Sequence, residues 1–113
     1  MITIFHNPRC KKSREGLAIL EALDITFNVR KYLDEPLTVE ELKNIINTLN
    51  IKPEALVRKN ETIWKTNYKS KELSENDLIE IMVNHPKLIE RPIVIYKNEG
   101  VIGRPPELIK TLF

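Results

Sequence analysis

The 113-residue chain has one cysteine, almost no net charge and no long apolar run. A single cysteine forbids an internal disulfide, which fits a reducing compartment, and any redox chemistry must take its second thiol from another molecule. The same scarcity argues against zinc. Cys10 with only His6 and His85 does not reach the four ligands of a structural site, so no metal is expected. No window approaches the roughly 20 apolar residues of a membrane span. Met1-Ile2-Thr3-Ile4-Phe5 has no basic segment ahead of its short apolar stretch, so a cytoplasmic location is expected. Eighteen Lys and Arg against sixteen Asp and Glu give a net charge of +2. Bulk charge therefore gives no support to nucleic acid as a partner, and any anion site must be a local cluster. Repeats, linkers and low-complexity segments are absent. The length suits one modest core, so residues 1–113 are expected to form a single domain, and a monomer is the expected state.

Residues 2–5 are apolar and β-branched, bounded by Asn7-Pro8, and predict a buried strand. A helix over residues 10–23 follows, with Leu17, Leu20 and Leu23 at near-helical spacing and Gly16 weakening it by about 1 kcal/mol. Residues 26–32, with Phe27, Val29 and Tyr32 among polar neighbours, predict a half-buried strand that completes a β-α-β unit. Thr38-Val39-Glu40-Glu41 is a capping box with Leu37 and Leu42 as staple, and Leu42, Ile45, Ile46 and Leu49 follow the helical period. Pro53 suits the start of another short helix. Residues 59–71 show no clean period and predict a loop. Trp64-Lys65 and Tyr68-Lys69 within it resemble a stacking surface for single strands, but a solvated loop with one anchoring tryptophan is the simpler reading. Ser74 to Asp77 repeats the cap logic ahead of Leu78, Ile81 and Met82, and His85-Pro86 stops that helix. Residues 92–96 are the strongest strand signal. A turn leads to a second short strand at 101–103, and Pro105-Pro106-Glu107 opens a last helix with Leu108, Ile109 and Leu112 as its apolar face. The fold class is α/β. This element order predicts a thioredoxin-like fold, a mixed four-stranded sheet with a helical insertion at about residues 37–85, between the β-α-β unit and the C-terminal hairpin and helix.

Cys10 ends the turn His6-Asn7-Pro8-Arg9-Cys10, immediately before the first predicted helix. A helix N-terminus presents unpaired N–H groups and about half a positive charge, which stabilise an anionic sulfur. Arg9, Lys11, Lys12 and Arg14 add positive charge there. His6, four residues before the cysteine, and Ser13, three after it, are both able to donate hydrogen bonds to the thiolate. Arg91 lies between the apolar Leu88-Ile89 and a buried strand, where an unpaired charge is expensive. Arg104 lies just beyond the other hairpin strand.

Four strings carry a family resemblance: His6-Asn7-Pro8-Arg9-Cys10-Lys11-Lys12-Ser13-Arg14, Ala55-Leu56-Val57-Arg58-Lys59-Asn60, the run from His85-Pro86 through Arg91-Pro92 to Val94, and Gly103-Arg104-Pro105. They resemble the signature blocks of the glutaredoxin-dependent arsenate reductases, the ArsC type of the ArsC/Spx superfamily. That resemblance implies Cys10 as the nucleophile and Arg58, Arg91 and Arg104 as an oxyanion clamp, beside which His6, Ser13 and Arg14 are expected from their places around Cys10 to support the thiolate. It also implies a cis peptide before Pro92, facing the active thiol. The implied reaction is stepwise. Cys10 forms a thiol–arsenate adduct, glutathione attacks it, and glutaredoxin with glutathione completes reduction to arsenite. No bound cofactor, nucleic acid or membrane enters that scheme.

Two other functions share these features. Spx-like transcriptional regulators have the fold and the Arg-Pro strand and bind RNA polymerase. They usually carry Cys-x-x-Cys where this chain has Cys10 and Ser13, and they lack the Arg58 and Gly103-Arg104-Pro105 blocks. A general glutathione-dependent thiol oxidoreductase with no arsenate role is the third reading.

Overall fold

The computed structural model describes residues 1–113, and its chain divides into two compact units, residues 1–35 with 91–113 and residues 36–90. In the first unit, β1 (Ile2–Phe5) lies between β2 (Phe27–Arg30) and β3 (Ile93–Tyr96), and β4 (Glu99–Ile102) closes the order β2-β1-β3-β4. The β1–β2 pair is parallel, joined through α1 (Lys11–Ala22), and the other two pairs are antiparallel. This is the mixed sheet of the thioredoxin-like fold that the element order predicts. Ile2, Ile4, Leu20, Val94 and Ile109 form its buried core.

Register decides what meets at one end of this sheet. Phe5 pairs with Arg30 on one side and Ile93 on the other, and Ile93 pairs with Ile102. The residues just after β1, just before β3 and just after β4 are therefore neighbours: His6 and Asn7, Arg91 and Pro92, Gly103 and Arg104. Two short bonds extend the ladders there, His6 N–H to the Arg30 carbonyl at 2.9 Å and Gly103 N–H to the Pro92 carbonyl at 2.7 Å.

In the second unit, α2 (Val39–Leu49) and α4 (Glu75–Asn84) bury Leu42, Ile45, Ile46, Leu78, Ile79 and Met82. Both predicted capping boxes are present, Thr38 with Glu41 and Ser74 with Asp77. Short 3₁₀ turns cover Pro53–Leu56 and Pro86–Leu88, and an isolated bridge joins Val57 to Ile89.

Several expectations need correction. In α4 the buried residues are Leu78, Ile79 and Met82, with Ile79 in place of Ile81, and β2 is shorter than residues 26–32, with Val29 exposed. Residues 59–71 are not all loop, because α3 (Thr62–Asn67) forms there and buries Trp64, which repays helix formation in a segment with no apolar period. The C-terminal segment Pro106–Leu112 is a 3₁₀ helix. Its three-residue turn puts Pro106, Ile109 and Leu112 on one face, whereas Leu108 points outward, 41% exposed. The second hairpin strand begins earlier than predicted, at Glu99, because Tyr96 and Glu99 pair across a two-residue turn in which Lys97 is left-handed at φ 57°.

Gly16 sits inside α1 for a packing reason. A Cβ there would lie 2.7 Å from Pro92 Cγ and 2.9 Å from Ile109 Cδ1, and one at Gly103 would lie 2.9 Å from the same Pro92 atom. The proline ring thus occupies a slot between two glycines. Gly16→Ala is expected to destabilise the protein by about 1–2 kcal/mol, since overpacking against a ring costs about 1–3 kcal/mol and alanine recovers at most ~1 kcal/mol of helix propensity. Urea unfolding measures it, and an unchanged or raised midpoint would refute the slot.

Candidate active site

Cys10 is the N-cap residue of α1, in extended conformation at φ −94° and ψ 123°, and it is partly exposed. The turn that delivers it is held from Asn7. The Asn7 carbonyl accepts the Cys10 N–H at 3.0 Å, its Oδ1 accepts the Arg9 N–H at 3.0 Å, and its own N–H donates to Ser13 Oγ at 3.0 Å. Ser13 Oγ also meets His6 Nδ1 at 2.6 Å. His6, Asn7 and Ser13 are all buried, so strand end, turn and first helical turn are tied by a polar network shielded from water. Asn7 escaped the sequence reading. Its signal was available, since an Asn before Pro commonly folds its side chain back onto the backbone two residues on.

The first turn of α1 contains no acidic residue. Asp and Glu are stabilising there, and their absence leaves the positive end of α1 to the sulfur. The Cys10 side chain makes no formal capping hydrogen bond. Burial, the largest influence, pushes the thiol up; it is outweighed by the Ser13 N–H, the Arg91 side chain that hydrogen-bonds the sulfur and acts on it by charge, and the Lys12 N–H. The net direction is downward. Iodoacetamide alkylation followed against pH should give an apparent pKa below the free-cysteine value of about 8.5. A value at or above that would refute the thiolate.

Burial lowers the His6 pKa, and the charges of Lys31 and Arg14 push the same way. The ring is thus neutral at pH 7, suited to hydrogen bonding and not to carrying charge. Arg14 Nη1 donates to the Pro8 carbonyl at 2.9 Å, so this guanidinium braces the turn from outside.

Arg91 is 6% exposed and lies two residues before β3, with Pro92 between. Its carbonyl accepts Arg104 Nη1 at 3.0 Å, so the Arg104 side chain folds back to the residue whose charge lowers the Cys10 pKa. The peptide between Arg91 and Pro92 is cis, as the resemblance implied, and the one between Arg104 and Pro105 is cis as well, which was not anticipated. Cys10, Ser13, His6, Arg14, Arg91, Pro92 and Arg104 all belong to the first unit.

Arg58 belongs to the second unit. Its N–H donates to the Leu88 carbonyl at 2.7 Å, beside the Val57–Ile89 bridge, and its guanidinium lies 3.1 Å from Glu90 and 3.9 Å from Glu61. No group of His, Cys, Asp and Glu is placed to hold a metal ion, and no helix is long and apolar enough to cross a membrane.

A family model described as the ArsC family matches residues 5–112. An arsenate reductase of Neisseria meningitidis serogroup A is 39% identical, over 98% of this chain and 97% of the relative. One from Haemophilus influenzae is 39% identical, over 96% of this chain and 95% of its own length. Among solved structures, an arsenate reductase from Vibrio cholerae superposes with a TM-score of 0.94 at 42% identity, covering 99% of this chain and 97% of that one. A likeness in both sequence and backbone over this extent reflects common descent, and the chain belongs to the ArsC family.

Proposed function

We propose that this protein reduces arsenate to arsenite, with Cys10 as nucleophile and with glutathione and glutaredoxin as the source of electrons. The observation that carries the reading is the placement of Cys10 at the positive end of α1, with the Arg91 side chain on its sulfur. Arsenate is an anion at neutral pH, so a thiolate approaching it meets like-charge repulsion. Arg91 and Arg104 supply compensating charge, and their planar forks fit tetrahedral oxyanions. For Arg58, support for a clamp role comes from its sequence block. Its pairing with Glu90 and Glu61 implies that an anion would compete with two carboxylates for that guanidinium.

In the proposed cycle Sγ attacks arsenic, an S–As bond forms, and one oxygen departs as water after taking up protons. Arsenic remains pentavalent in this adduct. A glutathione thiolate then attacks Sγ, and the S–As bond breaks with its electron pair passing to arsenic, which leaves as arsenite. Cys10 is left as a mixed disulfide with glutathione. A glutaredoxin thiol attacks the glutathione sulfur, Cys10 departs as a thiolate, and a second glutathione resets glutaredoxin. The external thiol is a necessity because the chain has no second cysteine. Neutral His6 and Ser13 keep the turn rigid through the cycle.

The test is turnover. Reduced protein with arsenate, glutathione, glutaredoxin and glutathione reductase should consume NADPH in proportion to arsenate reduced, and omitting glutaredoxin should slow it strongly. Absence of an arsenate-dependent rate from folded, reduced protein would overturn the proposal.

A further inference from the structure

The second unit contains a cavity of about 350 Å³ that the proposed reaction does not use. This is within the roughly 300–1,000 Å³ range of small-molecule sites. Its apolar lining is Trp64, Leu73 and Leu78. Trp64 and Leu78 are 8% and 7% exposed, so the indole and the leucine are fixed by packing. Tyr68, outside the lining, supports the indole with a ring whose centroid is 6.0 Å from that of Trp64.

The polar lining is four lysines, Lys59, Lys65, Lys69 and Lys71, against one carboxylate, Glu54. That carboxylate is already occupied, because Glu54 Oε1 accepts Lys59 Nζ at 2.7 Å. Lys71 Nζ lies 5.7 Å from the Tyr68 ring centroid. Neither Lys65 nor Lys69 takes part in an ion pair. The lining therefore combines a fixed aromatic surface with excess positive charge, in a protein whose net charge is only +2.

We infer that this cavity binds an organic anion of nucleotide type, a flat ring joined to clustered negative charge, with the ring against Trp64 and the charge among the lysines. An inorganic anion would leave the apolar lining unused, and a neutral ring would leave the ammonium groups unpaired. Lysines are mobile point charges, which suit the several oxygens of a polyphosphate better than the fixed geometry of one carboxylate.

Trp64 is the only tryptophan, so its emission reports binding at this place. Titration with magnesium-free ATP should change that emission saturably, and tripolyphosphate and adenosine, each holding half of the recognised chemistry, should bind at least about tenfold more weakly. The double variant Lys65→Ala/Lys69→Ala should weaken ATP binding about tenfold with its thermal midpoint unchanged, and Lys69→Glu should weaken it further than Lys69→Ala. The Cys10→Ser protein should titrate as the wild type does, which separates this inference from the arsenate reading. No saturable change, tripolyphosphate binding as tightly as ATP, lysine variants binding as wild type, or an oligothymidylate strand binding more tightly than ATP would each overturn it.

Discussion

Cys10→Ser should reduce arsenate-dependent NADPH oxidation by at least about a thousandfold, to the level of the uncatalysed mixture, because a serine hydroxyl at the same place is neither ionised nor able to form a disulfide. The chain offers no substitute thiol. The change is close to isosteric, and the turn around it is fixed by bonds from Asn7 and Ser13 that do not use the sulfur. Thermal stability should therefore hold while activity disappears. Residual activity above about a tenth of wild type would remove the covalent adduct and with it the proposed cycle.

Much of the site was legible because its chemistry is concentrated in short strings. A cysteine after Asn-Pro and before a helical run states its own electrostatics, and the structure shows the acid-free first turn that such a reading needs. Arg91 stood out as a charge beside a buried strand, and at 6% exposure it is buried there. What was not legible is how one residue serves another. Gly16 read as a local weakness of α1, yet its missing Cβ is what lets the Pro92 ring approach. Helix propensity describes one residue against its own backbone, whereas this glycine answers to a residue far along the chain.

The same division runs through the fold. Elements with strong local signals formed: the two capping boxes open α2 and α4, and the strand expected at residues 92–96 covers Ile93–Tyr96. Segments stabilised by one anchoring contact did not announce themselves. Helix α3 depends on Trp64, and the last segment depends on Ile109, which is completely buried among Ile2, Ile4, Leu20 and Val94. In that last segment the apolar residues Leu108, Ile109 and Leu112 fit an α period on paper, and only packing reveals that the exposed Leu108 is not part of the face. Leu108 and Leu112 stand about 40° apart at 3.6 residues per turn but about 120° apart at three, so the tighter winding turns Leu108 off the face.

Arg91→Lys should lower kcat/KM for arsenate about a hundredfold although it preserves the charge, the size of effect that loss of one oriented donor to a developing oxyanion produces. Arg91 is nine-tenths buried, its backbone carbonyl is engaged by Arg104, and its side chain bonds the Cys10 sulfur. A guanidinium in that position can bond sulfur with one N–H and leave others for an arsenate oxygen, whereas an ammonium has a single centre to divide between them. The thiol should respond in a graded way. With lysine its pKa should rise part of the way towards the ordinary value, and with Arg91→Ala it should rise further, since burial of the sulfur would then face only the Ser13 and Lys12 N–H groups. Alkylation rates against pH separate this from a loss of fold, because a merely structural role would lower the unfolding midpoint and leave the thiol pKa in place. Wild-type kcat/KM with lysine, or a thiol pKa unmoved by alanine, would remove Arg91 from the site.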